Sequence, residues 1–408
     1  MNVYLLIILI TLFLDFIISS LSKYLSLNNL ANTIPDDFKN YYNDKKFLSS
    51  QNYFKTNIKF DFYQSLFNLI IILFIILLGL FNTLDVHIRS FGLGPARTGL
   101  LFFGVLFFLQ DIIDTPFTIY KVFVIEERFG FNKMTLKTYL VDKIKGYFII
   151  AILGSIILFI ILYFFETFQH YAWLYAWAFT SLFMLLIQPI FTLFVAPMFN
   201  TFSPLEEGSL KTKIYTYLQK VKFPIAKIDI MDGSLRSSKA NAYFSGLGKN
   251  KRIALYDTLL EEYTDDEILS IIAHEIGHYK KKHNIKNIIF GIIQSGFLFF
   301  ILSLFINNWL LFSAFKMQNI SIYASLLFFS ILYSPVDLII SIITSYISRK
   351  HEFEADQFAK KSLGSSINLI NALKKLTVTN LSNLTPHPFT VFLSYSHPPV
   401  INRIRALE

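Results

Sequence analysis

The 408-residue chain contains no cysteine. Disulfides, thiol catalysis and cysteine-ligated zinc are thereby excluded, and the redox compartment stays unreadable. Charge is scarce as well. Asp, Glu, Lys and Arg make up 16% of the residues against 54% hydrophobic, and the mean hydropathy is +0.49. A soluble globule carries more charge than this. Also missing are a glycine-rich phosphate loop, a basic stripe interleaved with aromatics, internal repeats and low-complexity tracts. Nothing therefore recommends nucleic acid as a partner, even at a formal net charge of +9. Basic residues spread through loops beside apolar runs fit a lipid bilayer better.

What the chain does have is apolar runs close to the roughly 18 residues needed to span a bilayer. Seven are expected, at 3–21, 63–82, 99–119, 147–165, 171–194, 287–307 and 322–346. The expected fold class is an all-α polytopic membrane protein. The first run, MNVYLLIILI, has no basic residue ahead of it and Lys23 behind it. A cleaved signal peptide has the opposite charge order, so a retained anchor is expected.

Lys and Arg alternate across the connecting loops. Lys23, Lys39, Lys45, Lys46, Lys55 and Lys59 lie between the first two runs, but only Arg89 and Arg97 before the third. Six basic residues follow run three, none follows run four, and Lys316 alone separates runs six and seven. The positive-inside rule then places the N-terminus outside and residues 195–286 and 347–408 in the cytoplasm. The chain divides into runs one to five (1–194), a soluble segment (195–286), runs six and seven (287–346) and a second soluble segment (347–408). The two soluble segments are expected to form one split region. Asp15, Gln110, Asp111, Asp114, Gln294 and Asp337 fall inside the runs. Such residues pair between helices or line water, and the sequence leaves both open.

The chemistry lies in "IIAHEIGHYKKKH", residues 271–283. Thr264-Asp265-Asp266-Glu267 has capping-box spacing, acidic residues open the segment and three lysines close it, so a helix is expected. On it His274 and His278 sit about 40° apart, one turn apart on one face. Both imidazoles can reach one metal ion, with Glu275 beside them to take a proton from water. An HExxH match arises by chance in about one such chain in a hundred, so a third ligand is needed. His283 falls about 180° round a continuous helix from His274 and reads as solvated or interfacial. "RKHEFEADQFA", residues 349–359, does better. Glu352 and Asp356 share a helical face, while Glu354 points about 160° away. Glu352 would complete a His2Glu site with an open fourth position, and Asp356 could hydrogen-bond a ligand histidine. His351 reads as structural.

HEIGH, followed by EFEAD after a membrane run, resembles the type I CAAX prenyl proteases. So do PFTIYKVFVIEERFGFNKMT (116–135), VAPMFNTFSPLEEGSLKTKI (195–214), SSKANAYFSGLGKNKRIALYDTLL (237–260) and YSHPPVINRIRAL (395–407), in family order. The resemblance implies a membrane zinc endopeptidase with one Zn2+ on His274, His278 and Glu352 and Glu275 as general base. It implies that Asn241 and Ala242 line the substrate groove and that His397 and Arg403 approach it, Arg403 as a substrate-binding residue. It also implies seven tilted helices around a large internal chamber, and a peptide or protein substrate, prenylated or not. An endoplasmic-reticulum or bacterial inner membrane would suit, with the catalytic region cytoplasmic.

Three further readings come from the residues. NAYFSGLGKNKRIALYDTLL has the pattern of a small β-hairpin about a Gly248-Lys249-Asn250 turn. Its strand, Asn241, Ala242, Tyr243 and Phe244, could bind a peptide by edge addition. His397, held extended by Pro398 and Pro399, could donate to an oxyanion. Oligomeric state is not legible. A non-catalytic membrane quality-control factor or a transporter remains the alternative class, although neither needs a general base.

Overall fold

The computed structural model describes residues 2–224, 227–245 and 251–408. Seven helices among them are long and apolar enough to cross a membrane, with mean hydropathies from 1.6 to 3.0. We number these spans one to seven: Val3–Asn28, Asp44–Leu78, Pro95–Glu126, Leu136–Thr167, Gln169–Phe199, His283–Phe305 and Ile322–Leu363. The chain is an integral, multi-pass membrane protein. Several helices outrun the apolar stretch because their polar ends continue as helix beyond it. Span two stops at Leu78 rather than 82 because Gly79 adopts a left-handed conformation (φ 71°) that closes the helix.

The polar intramembrane residues fall in two kinds of setting. Asp111 of span three accepts from Tyr147 at 2.5 Å and pairs with Lys143 at 2.7 Å, both on span four. Asp15 and Asp337 instead line a cavity of about 570 Å³ between spans one, two and seven.

The soluble segments fold together. Five helices matter here: α1 (Ser209–Lys220), α2 (Asp265–Lys280), α3 (Ile367–Thr379), α4 (Pro388–Ser394) and α5 (Val400–Leu407). One apolar core joins Ile214 and Leu218 of α1, Ile268, Ile272 and Ile276 of α2, Leu369 and Leu373 of α3, and Ile404 and Leu407 of α5. The loop between spans one and two joins it too. Phe38 and Tyr42 are buried in that core, and Tyr41 Oη donates to Asn371 at 2.8 Å. A piece of chain from before span two therefore packs into the same core as residues 195–286 and 347–408.

The strands form a four-stranded sheet in the order β1 (Phe202–Pro204), β2 (Lys227–Met231), β4 (Arg252–Tyr256), β3 (Ala242–Ser245). β3 and β4 pair antiparallel as the expected hairpin, and β2 adds to β4 in parallel. The turn at Gly248-Lys249-Asn250 lies outside the described residues. β3 is left as a sheet edge.

Candidate active site

Helix α2 begins on a complete capping box. Thr264 Oγ1 accepts from the Glu267 amide, and Glu267 Oε2 accepts from the Thr264 amide at 2.9 Å. Glu267 also pairs with Lys375 of α3 at 2.7 Å, fixing α2 against that helix. One turn apart on the buried face, His274 and His278 bring their Nε2 atoms within 3.1 Å of each other.

The third member comes from span seven, a 42-residue helix that leaves the apolar region without a break. It crosses α2 at Gly277, where an added Cβ would stand 3.0 Å from both the Cα and the carbonyl oxygen of Ala355. Any side chain larger than hydrogen would push the helices apart. The close approach carries Glu352 to the histidines, with Oε2 3.4 Å from His274 Nε2 and Oε1 3.2 Å from His278 Nε2.

These separations, 3.1–3.4 Å, lie at or just under the spacing of ligands on one metal, with a different carboxylate oxygen of Glu352 facing each histidine. Ligands about 2.0–2.2 Å from a tetrahedral ion stand about 3.3–3.6 Å apart. Glu352 Oε2 is buried and makes no hydrogen bond of full geometry among the described residues, with longer approaches from His274 Nε2 at 3.4 Å and Arg403 Nη1 at 3.3 Å. The charge balance agrees. Burial would lower the pKa of His274, but the neighbouring carboxylates of Asp356 and Glu352 outweigh it and raise it to about 9. The pocket draws positive charge, and the residues present fit a divalent cation.

Around this triad the structure places the other candidates as follows. Asp356 Oδ1 lies 2.9 Å from His274 Nδ1. Arg403 of α5 grips the same carboxylate with two donors, Nε at 2.8 Å and Nη2 at 2.7 Å, and its Nη1 reaches within 3.3 Å of Glu352 Oε2. The 3.4 Å separation of Arg403 Nη2 and His274 Nδ1 is best read as two donors converging on Asp356, not as a bond between them. Glu275 is half-buried, and burial raises its carboxyl above the usual range while the two imidazoles pull it back. His397 stays exposed at the rim with Nε2 3.5 Å from Glu352 Oε1, and its Nδ1 lies 2.9 Å from Ser396 Oγ. Arg349 Nη1 donates to the Val391 and Tyr395 carbonyls, clamping the end of α4 just before that loop.

Three sequence expectations change. Tyr243 is not in the groove. Side chains alternate along a strand, so Ala242 and Phe244 line the cavity while the Tyr243 hydroxyl points towards Met231 on β2, 3.9 Å from its sulfur. Arg403 is 9% exposed and committed to two carboxylates, which suits it to hold the site rather than bind substrate. His283 is not solvated. It is 1% exposed and hydrogen-bonds His278. Sequence reasoning also missed an apolar wall of the cavity, which has a volume of about 360 Å³, made by Leu369, Leu373 and Leu376 of α3 together with Ile271. The spacing of those leucines on an amphipathic helix was the available signal.

Comparison with known proteins decides the family. Residues 23–201 match the five-membrane-helix N-terminal region of CAAX prenyl proteases, and residues 204–408 match peptidase family M48. The chain belongs to the M48 CAAX prenyl protease family. It is 33% identical to CAAX prenyl protease 1 of Saccharomyces cerevisiae over 422 residues, covering 97% of this chain and 93% of the relative. It is 39% identical over 300 residues to the CAAX prenyl protease 1 homolog of Arabidopsis thaliana, covering 73% and 70% of the two chains. The crystal structure of S. mikatae Ste24p superposes with a TM-score of 0.93 at 33% identity, covering 100% of this chain and 99% of the other. This M48 protease is thus a membrane metallopeptidase, and its His-His-Glu cluster fits a metal site.

Proposed function

We propose that the protein is a zinc endopeptidase that cuts extended peptide segments presented at the membrane, prenylated CAAX chains among them. The observation that carries this reading is the triad His274, His278 and Glu352, with donor atoms 3.1–3.4 Å apart and Glu275 on the same helix. A His2Glu set with room for water favours zinc. When bound, zinc would supply Lewis-acid polarisation of water and of the scissile carbonyl. The rest falls to the chain. Glu275 takes a proton from the attacking water and passes it to the leaving amine nitrogen. His397, exposed at the rim, donates to the oxygen that becomes negative as the carbonyl is attacked. Asp356 holds His274, and Arg403 holds Asp356.

Strand β3 is suited to align the substrate. Tyr256 N–H donates to the Asn241 carbonyl at 3.1 Å. The alternation of an antiparallel ladder then leaves the backbone groups of Ala242 and Phe244 on the free edge. A peptide added there is recognised mainly through its amides. We therefore expect unlipidated extended peptides to be cut, lipidated ones to be cut faster through membrane partitioning, and folded domains to be spared. N-methylating an amide near the cut removes a ladder bond worth about 1 kcal/mol, and should slow cleavage more than changing the neighbouring side chain. Cleavage restricted to lipidated peptides, or indifference to N-methylation, would refute this recognition mode.

If His397 donates to the oxyanion, His397→Ala should lower turnover about 10²–10³-fold at unchanged metal content. Undiminished turnover would return it to an ordinary loop histidine.

The same reading puts the catalytic region in the cytoplasm, supported by the alternating Lys and Arg counts and by the packing of the first loop against it. The absence of cysteine makes labelling clean. Single cysteines at the exposed positions Lys45 and Ser365 should react from the cytoplasm, and one at Asn319 from the opposite face. Labelling of Ser365→Cys and Asn319→Cys from one side would contradict this orientation.

A further inference from the structure

We propose that His283 and Glu354 form a relay that holds His278 in the tautomer and orientation a metal requires, a positioning role that rests on the metal reading above. The geometry starts where the helix is interrupted after α2. That helix ends at Lys280, and Lys282 takes a left-handed conformation (φ 58°). The turn swings His283, the first residue of span six, beneath His278. His283 Nδ1 lies 3.0 Å from His278 Nδ1, and His283 Nε2 lies 3.0 Å from Glu354 Oε2. The His283 ring is 1% exposed and lies flat on His351, centroids 3.9 Å apart at 11°.

One proton assignment satisfies all of these contacts with a metal on His278. The Nε2 atom of His278 faces His274 and Glu352, so its lone pair serves the ion and the proton must sit on Nδ1. That proton can be donated only to a bare nitrogen, so His283 carries its own proton on Nε2 and gives it to the Glu354 carboxylate. Turning either ring over sets two N–H groups against each other or protonates the ligand nitrogen. His274 has the direct version of the same arrangement, with Asp356 accepting from its Nδ1. Each ligand imidazole thus ends on a carboxylate of span seven, one directly and one through a second ring. The direction of Glu354, away from Glu352, is what this arrangement needs. His351 contributes by stacking, which fixes the plane of the His283 ring.

Groups that orient ligand imidazoles in this way typically change metal affinity about 10–100-fold. The test compares zinc affinity, by competition with a chromogenic chelator, and zinc release rate in the purified full-length protein. We expect His283→Leu and Glu354→Ala each to weaken zinc about 10–100-fold. His283→Gln should recover much of the loss, because its amide can accept from His278 and donate to Glu354. KM for peptide at saturating zinc should not change. Glu354 is half-buried, so Glu354→Ala carries the test if His283→Leu does not fold. Wild-type affinity in Glu354→Ala, or His283→Gln as weak as a folded His283→Leu, would overturn the relay. Equal zinc binding by wild type and His278→Ala would overturn the metal reading itself, and the relay with it.

Discussion

Replacing Glu275 with glutamine should leave the metal content of the purified protein unchanged and lower peptide hydrolysis about 10²–10⁴-fold. The substitution keeps the size of the side chain and its capacity to hydrogen-bond, and removes only the ability to accept a proton. Glu275 belongs to the same cavity wall as His274 and His278, so its carboxylate faces the space where water and substrate must meet. Burial raises its pKa while the imidazoles restrain it, which brings a carboxylate nearer the proton affinity that general-base work at neutral pH demands. The measurement is a steady-state peptide assay beside metal analysis of the same preparation. Wild-type turnover would remove Glu275 from the reaction. Loss of metal together with activity would make it a structural member of the site.

The second large effect concerns stability. Arg403→Met should destabilise the soluble region by about 3–5 kcal/mol, because it strips the counter-ion from buried carboxylates while leaving them in place. Asp356 is 1% exposed and receives two donors from this one guanidinium. Glu352 has an alternative partner once a metal is bound, whereas among the described residues Asp356 keeps only His274. Asp356→Asn on the Arg403→Met background should therefore recover part of the loss. The lack of native cysteine provides the readout. Ala359, fully buried in the core shared by both soluble segments, can carry a single cysteine whose labelling rate reports opening. Equal rates in the presence and absence of Arg403→Met would show that water or another group already compensates the carboxylate.

Helical phase made most of the site legible. His274, His278, Glu352 and Asp356 lie on regular helix, where spacing alone fixes direction, and the seven apolar runs announce themselves by length. The misses occur where that regularity stops. The angle of α2 carried through Lys281 and Lys282 misplaces His283, because the left-handed turn at Lys282 resets it. Tyr243 reads with its neighbours because sequence gives a strand without saying which face meets the groove; the cavity lining by Ala242 and Phe244 shows it. β1 and β2 needed partners distant in sequence, and the pairing of β2 with β4 in parallel has no turn signal to reveal it. The burial of Phe38 and Tyr42 was hidden for a similar reason, since two aromatics in a polar loop do not name the surface they will cover.

Span seven runs as one helix from Ile322 to Leu363, joining the bilayer to the active site without a loop. A loop between membrane and active site would absorb insertions and deletions, but a continuous helix transmits them. Adding one residue between Tyr346 and Glu352 would advance the carboxylate about 1.5 Å along the axis and rotate it about 100° about that axis. Glu352 would leave the histidines, and Asp356 and Glu354 would leave their partners in the same stroke. Membrane and triad are geared together like a shaft and its key, so the length of this segment can drift only in steps that preserve its angle.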